Sequence, residues 1–162
     1  MKKNQRIVTE YNFYSTSEDL PKSDQELLQK AVNTASDAYA PYSKFEVGAA
    51  LLLSNQEIVI GSNQENAAYP SGLCAERVAM FSASANFKGI EMKAIAVYTA
   101  SESTVQKQIS PCGSCRQVMS EYEVKQSSPI RVLLMNASKE VWEFKACNDL
   151  LPLAFDFMAL KK

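Results

Sequence analysis

The stretches Cys74-Ala75-Glu76-Arg77 and Pro111-Cys112-Gly113-Ser114-Cys115 carry the strongest signal for the fold and the chemistry of this chain. Each lies where a helix is predicted to begin. Together they supply three thiols and one carboxylate beside an arginine, and the 162-residue sequence contains no histidine. Every mechanism that needs an imidazole is therefore excluded.

Three thiols at this spacing predict a catalytic zinc site. Zinc binds thiolates in a tetrahedron, and three protein ligands leave the fourth position for water. Cys112 and Cys115 can point from one helical turn towards a single ion, and Cys74 would supply the third thiolate from the start of another helix. We therefore predict Cys74, Cys112 and Cys115 as the ligands of one Zn²⁺ per subunit.

The charge of such a site predicts roles for two neighbouring residues. Zinc with three thiolates keeps a net charge of −1, which the positive ends of two helices offset in part. Arg77 is placed to donate hydrogen bonds to the thiolates. Glu76 can face the open metal position, where a carboxylate can take a proton from water and pass it to a substrate nitrogen.

Other readings of the cysteines remain open from the residues alone. A C-x-x-C pair can be a redox dithiol or half of a structural zinc site, and a structural site would need Cys147 as its fourth ligand. Free cysteine is usually buried, so Cys147 is predicted to be a small core residue. A disulfide framework is not expected in a reducing compartment.

Composition places the chain among small globular proteins. Its length predicts one domain, and 46% hydrophobic with 22% charged residues argues against disorder. A formal net charge of −1 is not that of a nucleic-acid-binding protein. No apolar run suits a signal peptide or a membrane span, so we expect a cytoplasmic location without membrane or nucleic-acid partners.

The order of predicted elements indicates an α/β fold. A helix with capping-box spacing at Ser23 and Glu26 is predicted to end at Pro41. The five-residue link 136–140 is too short for a parallel crossover, so the last two strands should be antiparallel. We predict three α/β/α layers around a mixed five-stranded sheet with strands at 45–54, 57–61, 94–98, 130–135 and 141–145, and further helices from Cys74 and Pro111.

Five segments resemble the short, zinc-dependent cytidine deaminases. The resemblance covers about residues 22–156, in the family's order. It is carried by Tyr42-Ser43-Lys44-Phe45-Glu46-Val47-Gly48-Ala49-Ala50-Leu51, by Asn63-Gln64-Glu65-Asn66-Ala67-Ala68-Tyr69-Pro70, by Cys74-Ala75-Glu76-Arg77, by Pro111-Cys112-Gly113-Ser114-Cys115-Arg116-Gln117, and by Leu151-Pro152 with Phe155. Gln64 departs from the pattern, because an apolar residue is typical there.

The resemblance implies a role for each matched residue. Phe45 packs against the pyrimidine, Asn63 and Glu65 bind the ribose hydroxyls, and the backbone at Ala75 reads the base edge with Glu76. Arg77 offsets part of the negative charge of the thiolates. Three more residues are implied in substrate binding, of which the first two would reach into a neighbouring subunit's site: Ala67, Tyr69 and Phe155.

The implied activity is the zinc-dependent deamination of cytidine and 2'-deoxycytidine to uridine and 2'-deoxyuridine, with release of ammonia, in pyrimidine salvage. Zinc hydroxide attacks C4 of the base and Glu76 shuttles the protons. The implied assembly is a homotetramer with shared sites. Residues 21–162 would form the catalytic domain, and residues 1–20 an extension that could hold an edge strand or an ordered arm. The alternatives are a deaminase of an antibiotic nucleoside such as blasticidin S, and a non-catalytic zinc protein.

Overall fold

The computed structural model describes residues 2–100 and 110–156, which form one mixed sheet with helices on both faces. The strands are β1 Asn12–Tyr14, β2 Val47–Leu53, β3 Ile58–Ser62, β4 Met92–Thr99, β5 Arg131–Met135 and β6 Val141–Phe144. The α-helices are α1 Lys22–Ala35, α2 Ala75–Asn86 and α3 Gly113–Gln126. No helix in these two ranges is long and apolar enough to cross a membrane.

The sheet has the strand order β1-β6-β5-β4-β2-β3. β4 and β5 run parallel and are joined through α3, whereas every other neighbouring pair of these six strands is antiparallel. The prediction for the last two strands is confirmed, since Met135 pairs with Val141 across the short 136–140 link. The predicted polar loop at 101–110 falls largely outside the described residues.

The prediction of five strands is wrong by one, because the N-terminal segment contributes β1. Phe13 is registered opposite Trp142, and Tyr14 opposite Val141. Leu20 is buried in the same core as α1. Three residues are too few to show a strand period in the sequence, so the alternation on which strand prediction depends is missing here.

The core has two halves, one on each face of the sheet, as the predicted three layers require. On one face α1 buries Leu27, Leu28 and Ala31 against Ala50, Ala96 and Leu133. On the other face α2 and α3 bury Ala79, Met80 and Met119 against Leu51, Ile95 and Leu134. Successive strand residues alternate between the two halves, as side chains on a pleated strand must.

Helix α1 ends at Ala35, six residues before the predicted end at Pro41, and its N-cap is Pro21 rather than Ser23. The chain leaves the helix because the backbone at Tyr39 has other partners. Tyr39 N donates to Asn63 O over 3.0 Å, and Tyr39 O accepts from Glu65 N over 2.8 Å. These tertiary hydrogen bonds override the local helical pattern.

Helix α2 lies unusually close to strand β3 at Gly61. A Cβ atom at this position would stand 2.5 Å from the amide nitrogen of Ala79 and 2.6 Å from the carbonyl oxygen of Ala75. Real Cβ atoms essentially never approach so closely. Gly61 therefore permits the close approach of the helix that follows Cys74.

Candidate active site

Two helix starts bring the three predicted thiols together. Cys74 is the N-cap of α2, Cys112 is the N-cap of α3, and Cys115 lies in the first turn of α3. The Sγ atoms of Cys74 and Cys112 are 3.8 Å apart, those of Cys112 and Cys115 are 3.5 Å apart, and all three lie within 4.8 Å of one another. Each of the three is a free thiol.

This geometry fits a zinc ion. Zn–S bonds of about 2.3 Å in a tetrahedron place neighbouring sulfurs about 3.8 Å apart. The two separations that involve Cys112, 3.8 and 3.5 Å, are close to that spacing, and soft thiolates are preferred zinc ligands. Cys74, Cys112 and Cys115 are thus positioned to hold one metal ion.

The thiols differ in how readily they ionise. Hydrogen bonds to the Cys74 sulfur from Cys115, and also from Arg77 and Cys112, lower the pKa of Cys74 to about 5, although its partial burial works in the opposite direction. The pKa of Cys115 is raised, chiefly because its thiol bonds to Cys74 and because it is buried. Because zinc binds thiolates, a metal that binds both sulfurs must displace any proton that they carry.

Arg77 is the cation next to the cluster. Its Nη2 donates to the Sγ of Cys74 over 3.8 Å and to the carbonyl oxygen of Gly72 over 3.4 Å. Its Nε is buried without a hydrogen-bond partner within residues 2–100 and 110–156. The guanidinium is therefore in direct contact with one of the three sulfurs, and its role in offsetting the thiolate charge stays a prediction.

Glu76 lies in the first turn of α2 and is only 4% exposed. Burial raises the pKa of its carboxyl group, and the nearby charge of Cys74 raises it further. A carboxyl group with a raised pKa exchanges protons more readily near neutral pH than an exposed one. Glu76 also lines the cavity that opens beside the cluster.

That cavity has a volume of about 770 Å³, within the range typical of small-molecule sites. The predicted site residues on its wall are Phe45, Asn63, Glu65, Tyr69, Cys74, Glu76 and Cys112. No site role was predicted for the other wall residues, which are Tyr42, Ser43, Val47, Gln64, Asn66, Gly72, Leu73, Val97, Thr99, Ser110 and Pro111. Tyr42 and Ser43 fall in a segment that carries the resemblance, but Thr99 had no signal beyond its place at a strand end.

The side chain of Asn63 organises the wall that carries Phe45. Its Oδ1 accepts from Val47 N over 2.8 Å, and its Nδ2 donates to the carbonyl oxygen of Phe45 over 2.9 Å. A primary amide has two N–H groups and two acceptor lone pairs, so one of each remains for a ligand. The neighbouring Gln64 directs its amide to Ser62 Oγ, 3.1 Å away.

Glu65 closes the other side of the cavity mouth. Its carboxylate accepts from the backbone nitrogens of Tyr42, over 2.9 Å, and of Ser43, over 3.3 Å. The pKa of Glu65 is lowered, first by the Ser43 side chain and then by these backbone donors. An ionised Glu65 therefore fixes the loop that precedes Phe45 and can still accept a hydroxyl hydrogen bond.

Three predicted substrate-binding residues are not on the cavity wall. Ala75 is fully buried behind it, whereas Ala67 is exposed and Phe155 is 64% exposed. Tyr69 does line the wall, but it is 78% exposed and packs edge-on against Tyr42, with ring centroids 6.3 Å apart. Side chains exposed at this position can serve a neighbouring subunit only if the chain assembles.

Cys147 lies outside the thiol cluster, which weakens the four-cysteine structural site. It is completely buried, and its Sγ donates to the carbonyl oxygen of Ile130 over 3.4 Å. Burial raises the pKa of this thiol, and the charge of Glu123 acts in the same direction. A buried cysteine of this kind is inert.

The geometry of the cluster agrees with a comparison against known families. Residues 21–128 match the model described as "Cytidine and deoxycytidylate deaminase zinc-binding region". The chain belongs to this deaminase family. Since the match spans both helix starts, it includes all three thiols, Glu76 and Arg77.

Individual members of the family match over most of the chain. A cytidine deaminase of Sporosarcina psychrophila is 42% identical over 132 residues, which cover 81% of this chain and 90% of that protein. A cytidine deaminase of Halalkalibacterium halodurans is 38% identical over 131 residues, 81% of this chain and 92% of the relative. The crystal structure of cytidine deaminase from Burkholderia pseudomallei superimposes with a TM-score of 0.70 at 41% identity, over 80% of this chain and 97% of that one.

Proposed function

We propose that this deaminase family member converts cytidine and 2'-deoxycytidine to uridine and 2'-deoxyuridine with release of ammonia. The observation that carries the proposal is the buried Glu76 carboxyl beside three clustered thiols at one wall of a nucleoside-sized cavity. Relatives of this chain that are named cytidine deaminases support the substrate class.

The chain's own residues perform the proton transfers in this proposal. A bound zinc ion would supply an activated water for attack on C4 of the base. Glu76 accepts a proton from the attacking water and donates it to N3 of the pyrimidine. It then accepts the proton of the new hydroxyl group at C4 and donates it to the departing amino group, so that the C4 carbonyl forms as the C–N bond breaks. The reaction thus consumes one water molecule, replaces the amino group at C4 by a carbonyl oxygen and releases ammonia. Glu76 returns to its starting protonation state.

Substrate binding would use the walls described above. Phe45 packs against the pyrimidine, the unused half of the Asn63 amide and the Glu65 carboxylate bind ribose hydroxyls, and the backbone at Ala75 reads the base edge with Glu76. Among the described lining residues the charged side chains are Glu65 and Glu76, both acidic. This favours a neutral nucleoside over a nucleotide.

Assembly into a homotetramer with shared sites is part of the proposal. Ala67, Tyr69 and Phe155 were implied in substrate binding, yet each is exposed in the single chain. An adjacent subunit would give these side chains a site to complete. Light scattering on a size-exclusion column tests this directly, and a monomeric mass in an active sample would contradict it.

The activity is tested by following ultraviolet absorbance with cytidine, deoxycytidine, deoxycytidylate and blasticidin S side by side. The zinc-loaded protein should turn over both nucleosides, and the Glu76→Ala variant should not. Turnover of blasticidin S alone would identify an antibiotic deaminase. No turnover of any substrate would identify a zinc-binding protein without this activity, and full activity in Glu76→Ala would refute the mechanism.

A further inference from the structure

One face of α3 holds the C-terminal strap, which we define as residues 147–155. The carboxylate of Glu123 accepts from the backbone nitrogens of Cys147 and Asn148, over 2.7 and 3.1 Å. Further towards the start of the helix, Ser120 Oγ bonds to Asn148 Oδ1 over 2.6 Å, and Gln117 Nε2 donates to Phe155 O over 2.7 Å. The strap therefore runs back along α3 towards the thiol cluster.

Arg116 differs from the other strap contacts because it has a second partner in residues 111–115, which include Cys112 and Cys115 and which we call the metal loop. Its Nη1 donates to the carbonyl oxygen of Leu150 over 3.0 Å. Its Nε donates to the carbonyl oxygen of Pro111 over 2.7 Å. The planar guanidinium presents its donors in a fixed geometry, so it can hold two main-chain carbonyls at a set separation.

The middle of the metal loop is open to solvent among the residues that the structure describes. Cys112, Gly113 and Ser114 are exposed, and a Cβ atom at Gly113 would meet nothing within 4 Å among the described atoms. Pro111, in contrast, is buried and directly precedes the ligand Cys112. The backbone nitrogen of Arg116 also donates to the carbonyl oxygen of Cys112, over 3.0 Å. Arg116 thus contacts the two consecutive carbonyls at residues 111 and 112.

We propose that Arg116 is a positioning residue for the metal ligand Cys112, and that it couples the placement of this ligand to the C-terminal strap. It acts through main-chain carbonyls, whereas Arg77 acts on the Cys74 sulfur itself. The proposal rests on the proposed function only in taking Cys112 as a zinc ligand. Groups that orient metal ligands typically change metal affinity about 10-fold to 100-fold when removed.

The test measures zinc release from the purified zinc-loaded protein without any substrate. A chromogenic chelator in excess reports the release rate for wild type, Arg116→Ala, Arg116→Lys and Ser120→Ala. Arg116→Ala should release zinc about tenfold faster or more. Arg116→Lys should lie between wild type and Arg116→Ala, because one ammonium group can hold one carbonyl but does not reproduce the fork. Ser120→Ala removes a contact with Asn148 but leaves the Arg116 bonds to Leu150 and Pro111 in place, so it should match wild type.

A second readout separates positioning from loss of stability. The cobalt-substituted protein shows thiolate-to-metal charge-transfer absorption, which depends on ligand geometry. This band should shift or weaken in both Arg116 variants and stay unchanged in Ser120→Ala, with thermal unfolding followed in parallel. Should Arg116→Ala fail to fold, Arg116→Lys carries the test.

Two results would overturn the proposal: zinc release and a cobalt spectrum in Arg116→Lys equal to wild type, or equally fast release from Ser120→Ala. Because no substrate is present, failure of the deaminase proposal would be seen separately in the absorbance assay. A protein that does not deaminate cytidine but loses zinc faster without Arg116 would still support the positioning role.

Discussion

The ring of Phe13 packs edge-on against Trp142, with ring centroids 5.0 Å apart and an angle of 62° between the planes. Next to this pair, Tyr11 contacts Phe144 with centroids 5.6 Å apart. Trp142 packs against the half of the core that α2 and α3 cover. The N-terminal segment therefore shields a sheet edge that these helices do not reach.

Truncation of this contact should be visible in the fluorescence of Trp142, the single tryptophan of the chain. We expect Phe13→Ala to shift the emission to longer wavelength, because the indole becomes more hydrated, and to lower the free energy of unfolding by about 1 kcal/mol. Val8→Ala is the control, since Val8 is 75% exposed. An unchanged spectrum in Phe13→Ala would show that β1 does not cover Trp142 in solution.

The Glu143 cluster should make stability depend on pH. Burial on its own raises the pKa of Glu143, but hydrogen bonds from Asn12, Tyr14 and Arg131 outweigh burial and lower it. Their donor atoms lie 3.0, 2.9 and 2.9 Å from the carboxylate oxygens. A carboxylate whose pKa is lower in the folded state stabilises the fold above its unfolded pKa, and this stabilisation is lost as pH falls through the folded pKa.

We therefore expect Glu143→Gln to be less stable than wild type at pH 7 by about 2 kcal/mol. For a chain of this size the difference corresponds to about 6 °C in Tm. The gap should begin to narrow below about pH 4.3, the ordinary pKa of a glutamate, and should close as pH falls through the lower pKa of the folded carboxylate. Because zinc loss at low pH affects both proteins, the measurement is the difference in Tm between them at each pH. A constant gap from pH 7 to pH 3 would contradict this account of Glu143.

Removal of Arg77 should weaken zinc retention. Without its guanidinium the excess negative charge of three thiolates is offset only by the two helix ends, so we expect Arg77→Ala to lower zinc affinity about 10-fold to 100-fold. The measurement is zinc per chain after dialysis against a chelator, together with activity. Lys125→Ala removes a positive charge from the far end of α3 and serves as the control. Unchanged zinc content and unchanged activity in Arg77→Ala would disprove the charge argument.

Glu76→Gln should lose catalysis and keep the metal. The amide is nearly the same size as the carboxyl group but cannot transfer protons, so kcat should fall about 10²-fold to 10⁴-fold. Zinc content should stay at the wild-type value, because the ligand set is intact. Glu121→Gln, an exposed residue on α3, makes the same change of charge away from the cavity and should retain activity. Wild-type kcat in Glu76→Gln would remove Glu76 from the mechanism.

The Asn63 amide should affect substrate binding through the backbone as well as directly. Asn63→Ala leaves Phe45 O and Val47 N without their side-chain partner, so the wall against the pyrimidine loosens. We expect KM for cytidine and deoxycytidine to rise about tenfold, the effect of one lost hydrogen bond of about 1.4 kcal/mol. Gln64→Ala, whose side chain faces Ser62, should change KM far less. Equal KM values in these two variants would argue against a special role for Asn63.

The clustering of the three thiols could be predicted from the sequence more fully than the contacts that shape the cavity walls. Cys74 and Cys112 at helix starts, with Cys115 one turn further, follow from spacing and local helix signals. The double contact of Asn63 with Phe45 and Val47 could not be predicted, because it depends on how β2 and β3 are placed after folding. The predicted helix end at Pro41 failed for the same reason, since Tyr39 exchanges helical hydrogen bonds for partners at 63 and 65.

The absence of a side chain at Gly61 affects the distances between the predicted metal ligands. A methyl group there would collide with main-chain atoms of α2, and the helix could relieve the collision only by lifting its first turns off the sheet. Cys74 and Glu76 would then move relative to Cys112, which is carried on a different helix. The distances among the three sulfurs that would bind one ion therefore depend on the gap between helix α2 and strand β3. Attempts to redesign this site should treat that gap as fixed before any ligand or pocket residue is varied.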